Sequence, residues 1–136
     1  MKYLVDANVL SETTKPVPDA GVVAWLRARE RDILVDPIIL GEIQFGILLL
    51  PKSRRRQRLE DWFSQVVLSI SCLPWETATG TRWARLLARL RSTGRAMPVK
   101  DSLIAATALR HSLTLATRNT EDFAKSGVKM VNPFRQ

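Results

Sequence analysis

Asp6, Glu42, Asp101, Asn119 and Asp122 are the residues whose type and setting point to chemistry. The chain has 21 Lys and Arg against 13 Asp and Glu, a formal net charge of +8, and most acids in such a protein belong on the surface. These acids do not read that way. Asp6 ends the apolar run Tyr3-Leu4-Val5. Glu42 lies in Ile38-Ile39-Leu40-Gly41-Glu42-Ile43, with apolar neighbours on both sides. Asp101 opens an alanine-rich segment after Met97-Pro98-Val99-Lys100, and Asn119 and Asp122 follow the run ending at Ala116. Carboxylates brought together repel one another, and desolvation raises the cost. A hard divalent cation resolves the conflict, and Mg²⁺ and Mn²⁺ prefer oxygen ligands and keep several waters. One His and one Cys leave too few ligands for a zinc cage. Oxygen ligands plus metal-bound water suit hydrolysis of phosphodiesters. Each acid also has a plain structural reading: Asp6 or Asp101 as a helix N-cap, Glu42 as the ion-pair partner of an arginine, Asp122 as a loop acid.

These residues need a scaffold that gathers them. Short β-branched runs at 2–6, 33–35, 70–73, 113–116 and 128–131 predict strands. Helices are predicted between them. Asp19 can cap one over 20–30, and Asp36-Pro37 reads as an N-cap followed by proline for a helix ending near Leu50. Leu59, Trp62, Phe63, Val66 and Val67 form a 3.6-residue stripe, and residues 76–91 and 100–111 complete the set. Strands alternating with longer helices predict βαβ units and a parallel sheet covered on both faces. Functional groups gather at the carboxyl ends of such strands. Asp6, Asn119 and Asp122 follow strand ends, and Glu42 and Asp101 lie on helices that could face the same edge. Asn8 could hydrogen-bond Asp6 and fix its orientation, Ser11 lies near the same acid, and Thr117 could face the site. His111 reads as a helix-end residue and Cys72 as a small core residue.

At 136 residues and 46% hydrophobic, the chain can bury an ordinary core within one domain. A lone cysteine makes no internal disulfide and suits a reducing compartment, so a cytoplasmic protein is expected. The positive charge favours a polyanion or an acidic protein partner. The block 52–58 and the arginines from Arg82 to Arg95 are candidate contacts to a nucleic-acid backbone, or else solvated helix faces. Trp25, Trp62 and Trp83 fall on apolar stripes and read as core.

The segment Asp6-Ala7-Asn8-Val9-Leu10-Ser11-Glu12 resembles the opening motif of PIN-domain ribonucleases. More narrowly, the chain resembles VapC-type toxins of type II toxin–antitoxin pairs. Gly41-Glu42-Ile43-Gln44-Phe45-Gly46-Ile47, Asp101-Ser102-Leu103-Ile104-Ala105-Ala106-Thr107-Ala108 and Thr117-Arg118-Asn119-Thr120-Glu121-Asp122-Phe123 match the further motifs in order and spacing. The resemblance implies an α/β fold over residues 1–136, a single PIN-like three-layer sandwich with a short central parallel sheet flanked by helices. It implies a Mg²⁺- or Mn²⁺-dependent endoribonuclease with Asp6, Glu42 and Asp101 as its acidic core. Asp6 and Asp101 would be direct metal ligands, and Glu42 a third ligand or the group that orients the attacking water. The family often has an acid where Asn119 stands; asparagine can still ligate but adds no charge, and Asp122 could compensate. An RNA substrate, a cognate antitoxin that blocks the acidic site and a homodimer are also implied.

Two other readings make different demands. A non-catalytic RNA-binding or regulatory PIN-like module would bind RNA without the acids or a metal. A structural partner protein whose acids only cap helices would show no dependence on divalent ions.

Overall fold

A computed structural model describes residues 1–135; Gln136, at the end of the expected domain, lies outside them. Four short strands, β1 (Tyr3–Val5), β2 (Ile33–Leu34), β3 (Thr114–Ala116) and β4 (Met130–Val131), form one parallel sheet in the order β2-β1-β3-β4. β1 is central, with Leu4 paired to Leu34 on one side and to Leu115 on the other. Leu4, Val5, Leu115 and Ala116 are fully buried, which is why β1 and β3 read as continuous apolar runs. Helices α1 (Ala7–Glu12), α2 (Ala20–Ala28), α3 (Pro37–Leu48), α4 (Arg54–Gln65), α5 (Thr77–Ser92), α6 (Val99–Arg110) and α7 (Thr120–Ala124) flank the sheet, as expected of the three-layer α/β fold.

Local signals start these helices where the chain predicts. The Asp19 carboxylate accepts from the Val22 N–H at 3.0 Å, and Asp36 accepts from Ile39 at 2.8 Å with Pro37 in the first turn. On α2, Trp25 meets Tyr3 edge to face at a 4.9 Å centroid distance, and the Arg29 guanidinium lies 4.7 Å above the Trp25 ring. α6 is buried almost all round, through Ser102, Ile104, Ala105, Ala106, Thr107 and Ala108. Its small side chains admit α5 closely, and the half-buried Trp83 of α5 donates its indole N–H to Ser102 Oγ at 2.9 Å. His111 is the C-cap of α6.

Residues 70–73 do not form the expected strand. They follow a 3-10 turn (Val67–Ser69) and contribute a single bridge, Val35 to Cys72. Ile70 and Leu73 are half-buried against the core while Ser71 and Cys72 between them are exposed, so the run lacks the strict alternation of a strand. Cys72 is therefore not the core residue expected of it. The stripe on α4 is mostly spent inside the molecule: Phe63 and Val67 are buried, Leu59 and Trp62 half-buried, and Val66 exposed.

Asp36 ties the two helices that carry Glu42 and Asp101. It is fully buried; one carboxylate oxygen caps α3 and the other accepts from Thr107 Oγ1 of α6 at 2.7 Å. Asp36→Ala removes a cap and leaves the buried Thr107 hydroxyl only the Leu103 carbonyl at 3.5 Å, so it should cost about 2–4 kcal/mol, against about 1 kcal/mol for the more exposed cap in Asp19→Ala. Urea unfolding of both variants measures this. Equal losses would deny Asp36 the bridging role.

Candidate functional site

Asp6 stands where β1 passes into α1. Its Oδ1 accepts from the Ala7 N–H at 2.8 Å, and its Oδ2 accepts from Thr117 Oγ1 at 2.7 Å and from Asn8 Nδ2 at 3.3 Å. The parallel pairing of β1 with β3 brings Thr117 here from 111 residues away, because Thr117 directly follows β3 as Asp6 follows β1. Thr117 Oγ1 also accepts from the Asn119 N–H at 3.0 Å, and Asn8 Oδ1 accepts from the Arg118 N–H at 3.1 Å. The cap reading and the site reading of Asp6 are thus compatible. One oxygen serves the helix start, while the other is held by side chains from a separate strand end.

Asp101 lies in the first turn of α6 and is 7% exposed. Pro98 holds the N-cap position, and the Asp101 carboxylate accepts no hydrogen bond among the described residues, so it does not cap the helix. Glu42, half-buried on α3, forms an ion pair with Lys100 rather than with an arginine. Asn119 and Asp122 are exposed at the start of α7, beside a hollow of about 370 Å³ also lined by Arg118 and Arg135. Ser11 engages through its backbone carbonyl, which accepts from Thr14 Oγ1 at 2.7 Å, and its hydroxyl reaches none of the acids among the described residues.

Electrostatics couples the acids. Burial pushes Asp6 up to about 6; Glu42 and Asp101 add to the rise by repulsion, and the Thr117 and Ala7 hydrogen bonds oppose it. Burial also raises Asp101; Lys100 opposes that shift, and Asp122 and Glu42 add to it. Pairing with Glu42 raises Lys100 in turn. Asp6 thus lies in the field of Glu42 and Asp101, and Asp101 in that of Asp122 and Glu42. The donor set, carboxylate oxygens with a hydroxyl and amides behind them, has the chemistry that Mg²⁺ or Mn²⁺ takes. Among the described residues, no three His, Cys, Asp or Glu side chains form a ready metal cage, and Glu42 is paired with Lys100. A groove of about 820 Å³, bounded by Leu10, Val23, Leu26, Trp62, Val67 and Ile70, includes none of these acids.

Nothing in the neighbouring residues marks the pairing of Lys100, because its partner is 58 residues away on another helix. Its only local signal is a cation in the first turn of a helix, the unfavourable end for positive charge.

A PIN-domain family model matches residues 3–128. The chain belongs to the PIN-domain family. Within it, a VapC ribonuclease from Sinorhizobium fredii is 32% identical over 135 residues, covering 96% of each chain. Toxin FitB from Neisseria gonorrhoeae is 33% identical over 135 residues, covering 96% of this chain and 97% of that protein. The crystal structure of FitAcB from the same organism superimposes with a TM-score of 0.91 at 32% identity, over 98% of this chain and 99% of that one. These relatives place this PIN domain among the VapC-type proteins, and their fold is the one described above.

The raised Asp6 value makes a pH prediction. Folding favours the protonated form, so this group's contribution to stability is fully present below pH 3.8 and is lost as the pH rises through about 6. The ionised carboxylate then costs on the order of 3 kcal/mol. Asp6→Asn should gain stability relative to the unsubstituted protein between pH 4 and pH 7, read by thermal melts in chelator. A difference that does not change with pH would contradict the shift.

Proposed function

We propose that this PIN domain is a Mg²⁺- or Mn²⁺-dependent endoribonuclease, the toxin of a toxin–antitoxin pair, and that Asp6, Asp101 and Glu42 are its working residues. The observation that carries the proposal is the burial of Asp6 and Asp101 at the carboxyl edge of the sheet with Glu42 in the field of both, Asp6 being raised to about 6. Acids kept together at such a cost need a counter-charge, and a divalent cation also supplies the reaction chemistry. When bound, it lowers the pKa of a coordinated water and stabilises charge on the attacked phosphate.

Asp6 and Asp101 hold the cation in this reading, and Glu42 serves as a third ligand or orients the attacking water. Thr117 and Asn8 keep the Asp6 carboxylate aimed. Asn119 contributes a neutral carbonyl at the family's frequent fourth acidic position, so a second ion would be held weakly there, with Asp122 as the nearer charge. Ser11, next to this site in sequence, has no part in holding the cation in this reading.

RNA would lie over exposed basic surface and make phosphate contacts without sequence readout. Some cations are already engaged: Arg56 with Glu60 at 2.8 Å, and Arg89 with the Ser126 carbonyl at 2.7 Å. Lys52, Arg54, Arg55 and Arg58 near the start of α4, and Arg85, Arg91 and Arg95 on and after α5, remain exposed. The toxin reading carries further proposals: one functional domain over 1–136, a cognate antitoxin that blocks the acids, a homodimer and a cytoplasmic setting. The exposed Phe45, Leu48 and Leu49 of and beside α3 suit a dimer surface better than the stripe consumed by the core. No helix among the described residues is long and apolar enough to cross a membrane.

Cleavage of a labelled RNA panel with Mg²⁺, Mn²⁺ or EDTA tests the proposal. Cleavage should require the metal, and Asp6→Asn and Asp101→Asn should each lower it about 10²–10³-fold, the scale of several kcal/mol of lost charge stabilisation. RNA binding that survives EDTA, with no cleavage by any form, would instead identify a non-catalytic module. Full activity in both variants would remove these residues from the site.

A further inference from the structure

We propose that Lys100 is an internal counter-ion of the carboxylate site, holding the position of positive charge until a divalent cation displaces it and thereby setting how tightly that cation is bound. The inference rests on the metal reading of Asp6, Glu42 and Asp101 given above. Lys100 is a positioning residue in this scheme and makes no contact with the reacting atoms.

Among the described residues, Lys100 is the one cation in an ion pair with any of these acids. It follows Val99 in the first turn of α6, beside Asp101, and crosses to Glu42 on α3. Its ammonium also feels Asp101 and Asp6, so one positive charge sits in the field of all the proposed ligands. A cation in the first turn of a helix opposes the helix dipole, so α6 itself gives it no support. The acids therefore hold it in place.

The side chain can also leave. Half of the Lys100 side chain is exposed (51%) against 25% for Glu42, and its flexible stem lets the ammonium swing into water. A divalent ion that recruits Glu42 must break this pair. An ammonium is a single charge without directional coordination, so it balances part of the repulsion and competes weakly. A metal arriving with two charges, and with ligands already gathered, takes its place.

Removing the lysine charge should therefore tighten metal binding, by about tenfold for one unit charge acting across a few ångströms of partly solvated protein. The test is a Mn²⁺ titration of the intact chain without RNA, followed by calorimetry and by the loss of the free-ion resonance, at fixed ionic strength. Lys100→Met, or Lys100→Gln should the methionine variant fold poorly, should lower the Mn²⁺ Kd about tenfold. The same variant should melt lower than the unsubstituted protein in chelator and gain more on adding Mn²⁺. Lys100→Arg keeps the charge and should restore a Kd close to that of the unsubstituted protein. A folded Lys100→Met protein that binds Mn²⁺ equally well or more weakly overturns the role of Lys100 while leaving the metal site standing. Failure of the unsubstituted protein and all variants to bind Mn²⁺ overturns the metal reading and this inference together.

Discussion

The arrangement depends on one electrostatic conflict, the confinement of ionisable carboxylates beside a short parallel sheet where water cannot fully screen them. Asp6 is 4% exposed and Asp101 7%; burial raises both, Glu42 and Asp101 add to the rise at Asp6, and Asp122 and Glu42 add to it at Asp101. A protein selected for stability alone would place apolar residues or a satisfied hydrogen-bond pair at these positions. The surrounding structure works to contain the conflict. Two strand ends supply hydroxyl and amide donors to Asp6, the buried Asp36–Thr107 bond fixes α3 against α6, and Lys100 returns one positive charge.

Asp36 and Asp6 show how setting divides one residue type between roles. Both are buried acids at helix starts, and burial raises both. Asp36 spends its oxygens on the Ile39 N–H and the Thr107 hydroxyl, and the neighbours that shift it are hydrogen-bond donors. Asp6 is also fully hydrogen-bonded, yet it has Glu42 and Asp101 in its field. That like charge separates a candidate reactive group from a structural cap, more than burial or hydrogen bonding does.

The sheet and the helix starts were legible because their causes are local. Asp19 and Asp36 cap helices through N–H groups three residues away, and Leu4-Val5 and Leu115-Ala116 show their burial on both faces as unbroken apolar runs. The clustering of acids was legible in outline, since parallel connections deliver strand ends to one edge. What local pattern could not carry was pairing across the fold. Ile70 to Leu73 has strand-forming residues but only one bridging neighbour, and Cys72 is left in solvent. Lys100 carries only the faint local mark of a cation at a helix start, because the packing of α6 on α3 that brings it to Glu42 joins residues far apart in the chain.

The central claim is that distant acids meet to share a hard cation. Anomalous diffraction at the manganese edge, from crystals of the intact chain grown with MnCl₂, tests it most directly. The account requires a manganese peak touched by carboxylate oxygens of Asp6 and Asp101, with Lys100 turned away from Glu42. Manganese bound only elsewhere on the surface, with the Lys100–Glu42 pair intact and Asp6 and Asp101 facing no ion, would contradict it.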